Sequence, residues 1–399
     1  MYGPVVNALE TPLSEGWFGM IIKNGVVHDA VNKEPYRADI VVRDGKIIGI
    51  GEVVEVLAGE EIMDATGLQI YPGLVEAHSH LGLRAYGISE LGVDHNEKSD
   101  ILTPHLRAID SFHPQDAAVR KALEGGVTTV CTGPGSTNVL GGTFIVTKTH
   151  GKCVDRMVLR EPAAMKCAFG ENPKVTYKGK SCGTRMAISG KLREMLFLSR
   201  DYMLRKEAAA GDITKMPKYD MKAEAMIPVL KKEIPLKAHA HRADDICTAI
   251  RIAKEFDVAL TLEHCTEGHL IVEELMEAGY PIVVGPSMGG ASKLELIHKT
   301  FDTARILSEA GIPISITTDA PVFPQEYLPL CAGMAVKAGM EPFAALQAIT
   351  INPARHIGVA DRVGTIETGK DGDLILTDGD LLDNHTIITS VIVNGKKVV

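Results

Sequence analysis

The segment Pro235-Leu-Lys-Ala-His239 begins a repeat of predicted strands and helices that indicates the fold class. This short apolar run precedes residues 243–253, in which apolar residues three or four positions apart share one helical face. The same order of strand and helix recurs, with predicted strands starting near residues 235, 258, 281 and 312. This spacing is typical of a parallel (β/α)8 TIM barrel, so we predict an α/β fold of that kind. A doubly wound open sheet is the alternative, because repeat length alone does not prove closure.

Both ends of the chain are rich in predicted strands. Short apolar runs flank Asn24-Gly25, Asp44-Gly45 and Asn394-Gly395, and each dipeptide predicts a β-hairpin. Neither end supplies enough strands for a stable sheet, so we expect residues 1–70 and 364–399 to form one composite β-sandwich. The barrel would then occupy residues 71–363. The first residues, up to about position 17, show no clear period, and we expect a loosely held extension there.

The composition excludes several classes of protein. The chain has 399 residues, of which 45% are hydrophobic, and a net charge of −9. This acidic balance argues against a nucleic-acid partner, which needs a basic surface. No run of about 18 apolar residues is present, so we expect no membrane span. The N-terminus lacks the pattern of a secretory signal, and the seven scattered cysteines fit reduced thiols, so we expect a cytoplasmic protein.

Two histidines end the predicted strand in Tyr71-Pro-Gly-Leu-Val-Glu-Ala-His-Ser-His80. Side chains alternate along a strand, so His78 and His80 lie on the same face. Two imidazoles placed in this way can bind one cation. A single His-x-His is a weak signal, and its weight depends on whether further ligands come from other strands.

Further candidate ligands follow the later predicted strands. His239, His264 and Asp319 each stand where a strand ends, and barrel active sites are built at the carboxyl ends of the strands. His241 is the alternative to His239, which we favour because it continues the strand directly. Asp319 could instead cap a helix. Since the other positions are histidines, we interpret Asp319 as a metal ligand and catalytic base.

These segments together resemble the amidohydrolase superfamily, in particular its imidazolonepropionase-like branch. Asp64-Ala-Thr-Gly-Leu-Gln-Ile, continuing into the His-x-His strand, is similar to the family's junction between sandwich and barrel. The family's junction from the barrel back to the sandwich is similar to two later segments, Ile351-Asn-Pro-Ala-Arg355 and Gly364-Thr-Ile-Glu-Thr-Gly-Lys-Asp-Gly-Asp-Leu374. The likeness covers nearly the whole chain after residue 18. It implies a barrel flanked by a small β-sandwich, and it implies these metal ligands: His78, His80, Lys166, His239, His264 and Asp319.

The resemblance leaves two residues, Lys166 and Glu171, as candidates for the bridging ligand. Lys166 stands in an apolar strand where some family members carry a carbamylated lysine, whose anionic CO₂ adduct bridges two metal ions. Glu171 is the alternative, since some relatives use a glutamate at a strand end and one metal. Lys166 could also be a lysine whose charged end reaches solvent. The metal is expected to be Zn²⁺, with one or two ions, although Fe²⁺, Mn²⁺ or Ni²⁺ would suit the same ligands.

The resemblance implies a metal-dependent hydrolase that cleaves a C–N bond in an amide, a cyclic amide or a dipeptide-like small molecule. The metal would activate a water molecule, and Asp319 would take its proton and return it to the leaving nitrogen. Arg185, His241, His269 and Asn138 are candidate substrate-binding residues. His95, in Asp94-His-Asn-Glu97, lies in a loop that could also line the site. We expect a homo-oligomer.

Two other functions fit the same sequence. A non-catalytic binding scaffold would keep the barrel and lack metal, although every ligand position here carries a competent residue. A hydrolase of lactones or phosphoesters would use the same metal site. Metal analysis and a panel of substrates separate these hypotheses.

Overall fold

The computed structural model describes residues 19–52, 56–87 and 90–399. The extension expected before residue 18 lies outside these ranges. The strands are β1 (Met20–Val27), β2 (Tyr36–Arg43), β3 (Lys46–Gly51), β4 (Glu61–Asp64), β5 (Gln69–Pro72), β6 (Leu74–Ser79), β7 (Val127–Thr132), β8 (Leu140–Lys148), β9 (Val158–Ala168), β10 (Leu236–Ala240), β11 (Leu260–His264), β12 (Ile282–Val284), β13 (Ile314–Ile316), β14 (Leu374–Thr377), β15 (Ile388–Val393) and β16 (Lys396–Lys397).

The described helices lie in the segments between β6 and β14. They are α1 (Ala117–Glu124), α2 (Glu171–Thr176), α3 (Arg185–Ala208), α4 (Met221–Leu230), α5 (Ala243–Phe256), α6 (Val272–Ala278), α7 (Asp302–Glu309), α8 (Leu328–Lys337), α9 (Pro342–Gln347) and α10 (Ile351–His356). None of the described helices combines the length and the apolar character needed to cross a membrane.

The two ends of the chain share one sheet. Its strand order is β16-β15-β14-β5-β1-β2-β3, and β4 also pairs with β1. The two ends meet where β14 runs antiparallel to β5, with Leu374 opposite Pro72. Side chains from both ends, including Ile22 and Ile392, pack into one buried cluster beneath this sheet. The sheet therefore depends on both ends of the chain.

The hairpin predicted at Asn24-Gly25 is wrong. The strand β1 runs through both residues, and its pairing with β2 shifts register between Ile22 and Gly25. Asn24 takes a φ of 66°, its backbone N–H donates to Asp39 Oδ1 at 2.9 Å, and its side chain donates to Asp64 Oδ1 at 3.0 Å. Asp39 and Asp64 therefore accept the hydrogen bonds of Asn24 in a β-bulge, at the position where the dipeptide predicted a turn.

The other two predicted turns are confirmed. Asp44-Gly45 joins β2 to β3, and Asn394-Gly395 joins β15 to β16. All four turn residues have positive φ, between 48° and 75°. A two-residue hairpin turn of type I′ requires this backbone conformation. Asp-Gly and Asn-Gly adopt it readily, which explains why both dipeptides predict a hairpin correctly here.

The second sheet forms a nearly closed barrel. Its strand order is β13-β12-β11-β10-β9-β8-β7-β6, which follows the chain and lacks the reversal of a doubly wound sheet. The first and last strands lie side by side: the His80 N–H donates to the Ala320 carbonyl at 2.8 Å, and Thr317 Oγ1 donates to the His78 carbonyl at 2.8 Å. These bonds join the two edges of the sheet close to the carboxyl ends of β6 and β13.

The barrel departs from a strict βα alternation at β8. This strand runs antiparallel to both β7 and β9, whereas the other paired strands of the sheet are parallel. Only residues 133–139 connect β7 to β8, and a parallel crossover needs a dozen or more residues. The short loop therefore forces a hairpin. The strands predicted near residues 235, 258, 281 and 312 are confirmed as β10 to β13.

Candidate metal centre

Histidine and aspartate side chains from four strand ends meet at one mouth of the barrel. Asp319 Oδ1 lies 3.3 Å from His80 Nε2 and 3.6 Å from His78 Nε2. Two groups of potential ligand atoms, each within 4.8 Å of one another, share His264. They are His78 with His264 and Asp319, and His239 with His241 and His264. The structure thus brings His241 into the cluster together with His239.

Backbone conformation turns two of these side chains toward the others. His264 ends β11 with a φ of 75°, and Asp319 follows β13 with a φ of 52°. Residues other than glycine rarely adopt this left-handed region. Thr317 Oγ1 accepts the Asp319 N–H at 2.9 Å and supports this backbone.

Hydrogen bonds to carbonyl groups orient two of the imidazole rings. His80 Nδ1 donates to the Gly133 carbonyl at 2.7 Å, and His264 Nδ1 donates to the Gly285 carbonyl at 2.8 Å. A ring that donates through Nδ1 keeps Nε2 as the acceptor, which is the arrangement of a metal-binding histidine. Both Nε2 atoms can therefore serve as ligand atoms.

Glu263 is a site residue that the sequence analysis missed. This fully buried carboxylate places Oε2 at 2.8 Å from His78 Nδ1. Its other oxygen accepts from Lys237 Nζ at 3.0 Å and from Thr261 Oγ1 at 2.6 Å. In the sequence, two opposite charges precede candidate ligands on successive predicted strands. Lys237 stands two residues before His239, and Glu263 stands one residue before His264. Such a pair becomes informative only once the register of β10 and β11 is known.

Lys166 lies fully buried beside His78. Its Nζ is 3.2 Å from His78 Nε2 and 5.5 Å from the centre of the Phe144 ring. Within the described part of the chain no carboxylate forms an ion pair with it, because Glu263 pairs with Lys237 instead. Burial lowers the pKa of Lys166 to about 8, although the charges of Glu263 and Asp319 act in the opposite direction. The alternative of a lysine that reaches solvent does not fit this burial.

Glu171, the alternative bridging residue, begins α2 at the rim of the barrel. Its Oε1 accepts the Glu295 N–H at 3.0 Å, and its own N–H donates to Glu295 Oε2 at 2.8 Å. This reciprocal pair of hydrogen bonds joins the two segments that carry Glu171 and Glu295.

Glu295 is a second acid that the sequence analysis missed. Its Oε1 lies 3.8 Å from the Nε2 atoms of His239 and His241, and 2.6 Å from Lys293 Nζ.

The electrostatics suit a ligand role for these groups. Burial, together with nearby cationic groups, holds the pKa of His78, His239 and His241 well below the ordinary histidine value, so the imidazoles stay neutral. Burial acts to raise the pKa of Asp319, but attraction to His264 and His80 outweighs it, and the pKa is lowered. Neutral imidazole and ionised carboxylate are the forms that bind a divalent cation.

Two buried ligand atoms lack partners in the structure as described. His264 Nε2 and Asp319 Oδ1 make no hydrogen bond there, although both are buried. Leaving such atoms unsatisfied is costly, and a bound cation is one of the explanations for an exception. The residues present therefore fit a divalent metal.

The candidate substrate-binding residues lie in different surroundings. Only His241 belongs to the cluster, with Nδ1 at 2.8 Å from Thr266 Oγ1. Arg185 Nε donates to both carboxylate oxygens of Asp245, at 2.9 and 3.1 Å. Asn138 donates to Thr103 Oγ1 and accepts from Tyr177, and His269 Nδ1 lies 2.9 Å from Thr303 Oγ1. These three side chains already have protein partners.

Several known proteins are similar to this chain. The model of the amidohydrolase family matches residues 201–398. The crystal structure of an amidohydrolase from Thermotoga maritima is similar over 95% of this chain and 99% of its own, with 40% identity and a TM-score of 0.92.

Curated relatives are more distant. Amidohydrolase tasK of Hapsidospora irregularis is 27% identical over 90% of this chain, which spans only 39% of that protein. Imidazolonepropionase of Thermoplasma volcanium is 25% identical over 88% of this chain and 85% of its own length. The high identity and almost complete coverage of the Thermotoga structure are decisive, and this chain belongs to the amidohydrolase family.

Proposed function

We propose that this protein is a metal-dependent hydrolase that cleaves a C–N bond in a small molecule, with Asp319 as general base and then general acid. The observation that carries the proposal is the buried, unpartnered Oδ1 of Asp319 beside two imidazoles. Membership of the amidohydrolase family supports the bond type, and an amide, a cyclic amide and a dipeptide-like compound are the candidate substrates.

Six side chains would hold the metal: His78, His80, Lys166, His239, His264 and Asp319. When bound, a divalent cation such as Zn²⁺ lowers the pKa of water and polarises a carbonyl oxygen. His241 is a further candidate because its ring lies in the same group of ligand atoms.

Lys166 supports a metal site with an anionic ligand. As a free ammonium it would be a buried cation without a carboxylate partner among the described residues, 3.2 Å from His78 Nε2. Such burial is unfavourable. The ammonium must first lose one proton to give the amine, and reaction of the amine with CO₂ then releases a second proton and forms a carbamate, which replaces the cation with an anion. As a carbamate, Lys166 would supply an anionic ligand beside His78 and would hold the metal together with the histidines and Asp319.

Asp319 would move the proton of the reaction. Its lowered pKa keeps the carboxylate ionised at neutral pH, so it can accept a proton from the attacking water. The same group then donates that proton to the departing nitrogen, which leaves as a neutral amine. Glu263 would act as a positioning residue by holding His78 at Nδ1.

The experiment is a hydrolysis assay with the purified chain, before and after removal of metal by a chelator. The panel contains linear amides, hydantoins, dipeptides, lactones and aryl phosphates. We expect hydrolysis of at least one C–N substrate, its loss on chelation and its return on adding Zn²⁺. Hydrolysis of lactones or phosphates alone would contradict the proposal, as would a protein that binds no metal.

We also infer that the fold divides as the family resemblance implies. Residues 1–70, of which the structure describes 19–52 and 56–70, would form the composite β-sandwich with residues 364–399, and residues 71–363 would form the metal-binding barrel, which is of TIM type except for the antiparallel β8. The antiparallel pairing of β5 with β14, which includes Tyr71 and Pro72, supports this division because it joins the two ends of the chain in one sheet beside the boundary.

A further inference from the structure

A second group of possible ligand atoms lies beside the group that contains Asp319. It consists of His239, His241 and His264, whose ligand atoms lie within 4.8 Å of one another. His264 has one free ring nitrogen, because its Nδ1 donates to the Gly285 carbonyl at 2.8 Å. One ring nitrogen binds one ion, so His264 cannot complete both groups when two ions are bound. A second ion therefore needs a further ligand next to His239 and His241.

The carboxylate of Glu295 stands in the position of that further ligand. Its side chain is fully buried, and Oε1 lies 3.8 Å from His239 Nε2 and 3.8 Å from His241 Nε2. Two imidazoles and one glutamate are a ligand set that protein zinc sites use. Oxygen and nitrogen atoms that each bind one zinc ion at about 2 Å lie about 3 to 4 Å apart. The spacing of these atoms therefore suits one divalent cation between them.

Hydrogen bonds fix the direction of the Glu295 side chain. Its Oε2 accepts the Glu171 N–H at 2.8 Å, and its own N–H donates to Glu171 Oε1 at 3.0 Å. Gly170 leaves room for this contact, because a Cβ atom there would lie 2.4 Å from Oε2. Arg185 Nη2 lies 3.9 Å from the same oxygen. The carboxylate is therefore held by Oε2, and Oε1 is directed toward the two imidazoles.

The contacts of both imidazoles leave Nε2 as the ligand atom. His241 Nδ1 lies 2.8 Å from Thr266 Oγ1, which can accept a hydrogen bond from it and so keep Nε2 unprotonated. Asn172 Nδ2 lies 3.5 Å from His239 Nε2. An amide NH₂ group can only donate, so this contact also fits an unprotonated Nε2.

Lys293 already supplies a positive charge at this position. Its Nζ lies 2.6 Å from Glu295 Oε1 and donates to Asn172 Oδ1 at 3.1 Å. A buried carboxylate needs a positive partner, which can be an ammonium or a metal ion. The side chain of Lys293 is 21% exposed, whereas that of Glu295 is fully buried. The ammonium can therefore move into solvent while the carboxylate stays in place.

We propose that His239, His241 and Glu295 bind a second divalent cation of the Zn²⁺ class, and that Lys293 leaves Oε1 when this ion binds. The first ion keeps the remaining ligands of the proposed metal centre. Glu295 lies outside the ligand set that the family resemblance implies, and His241 acts together with His239 instead of in its place. Because the second ion must displace an ammonium, it binds more weakly than the first. This inference rests on the proposed function only in that the protein binds a divalent metal.

Zinc binding without any substrate tests the role of Glu295. Metal-free protein is dialysed against Zn²⁺ at a series of buffered free concentrations, and the zinc bound per chain is measured by elemental analysis. We expect two ions in wild type. Glu295→Gln keeps an acceptor for the Glu171 N–H and should weaken the second ion at least tenfold, because even groups that only support a ligand have effects of about that size. Glu309→Gln, exposed on α7, is the control and should bind like wild type.

A second variant tests the displacement of the ammonium. Lys293→Met should bind the second ion about fivefold more tightly, which corresponds to the loss of one competing, partly exposed ion pair. Lys254→Met, exposed on α5, is its control and should bind like wild type. If Lys293 only holds Glu295 in place, its loss would weaken the second ion, and that result would overturn the proposed competition.

The remaining outcomes separate this proposal from the proposed function. Equal affinity of Glu295→Gln and wild type for a second ion would overturn the site. Loss of both ions by Glu295→Gln, in a protein that circular dichroism shows to be folded, would also overturn it, because the two sites would not be separate. A single ion in wild type would reject the second site and leave the hydrolase proposal standing. A wild-type chain that binds no Zn²⁺ would reject both.

Discussion

Burial limits the chemical forms that the side chain of Lys166 can take. Its position in an apolar strand is compatible with a surface lysine, but the structure buries it fully between β8 and β10. Glu263, which could have balanced its charge, pairs with Lys237. A fully buried lysine without a carboxylate partner among the described residues favours the anionic carbamate over the cationic ammonium beside metal ligands.

We predict that Lys166→Ala loses most of its bound metal, because the anionic ligand beside His78 disappears. Glu171→Ala is the matched control and should keep the metal content of wild type, since the Glu171 carboxylate accepts from the Glu295 backbone. The measurement is elemental analysis of the purified proteins. Loss of metal in Glu171→Ala alone would identify the glutamate as the bridge instead.

At the element scale, β6 and β13 are joined by a side chain as well as by backbone groups. Glu76 is fully buried in β6. Its Oε1 accepts the His78 N–H at 3.0 Å, and its Oε2 accepts the Thr318 N–H at 3.1 Å and Gln325 Nε2 at 2.8 Å. Because Thr318 directly precedes Asp319, this carboxylate sets the distance between ligands from the first and last strands.

We expect Glu76→Ala to lower the free energy of unfolding by about 3 kcal/mol or more, because four buried donors, the three above and Thr318 Oγ1 at 3.2 Å from Oε2, lose their acceptor. Glu76→Gln keeps one acceptor oxygen and should lose less. The measurement is denaturant unfolding. Glu124→Ala is the control, because the side chain of Glu124 is exposed on α1. This variant should change the free energy of unfolding by less than about 1 kcal/mol. Equal stability of Glu76→Ala and wild type would show that the edges close without this carboxylate.

At the scale of the whole molecule, a buried ion network joins the sheet of the chain ends to the barrel. Asp371 accepts from Lys46 of β3 at 2.6 Å, from Lys148 of β8 at 2.9 Å and from Arg362 at 2.9 Å. Lys148 also pairs with Asp373. Burial acts to raise the pKa of Asp371, but the charge of Lys148 and the contacts with Arg362 and Lys46 outweigh it, and the pKa is lowered.

This lowered pKa gives the stability a defined dependence on pH. A carboxyl group with a depressed folded pKa contributes fully above its unfolded pKa of about 4 and loses that contribution as the pH falls. We predict that Asp371→Asn lowers the free energy of unfolding by about 3 kcal/mol at pH 7. Its deficit relative to wild type should shrink as the pH is lowered from 5 toward about 2.

Chemical unfolding at a series of pH values measures this deficit. Asp201→Asn, whose side chain is exposed on α3, is the control and should follow wild type. A deficit of constant size at every pH would show that the ionised form of Asp371 is not what joins the two parts of the molecule.

The sequence alone determined the repeat of strands and helices, the turns at Asp44-Gly45 and Asn394-Gly395, and the candidate ligands at strand ends. These features are local, because hydrophobic period, turn residues and strand termini are visible within a few positions. Tertiary structure decided the bulge at Asn24 and the reversed direction of β8. It also decided the roles of Glu76, Glu263 and Glu295, since a buried carboxylate acquires a role only from partners that lie far away in the chain.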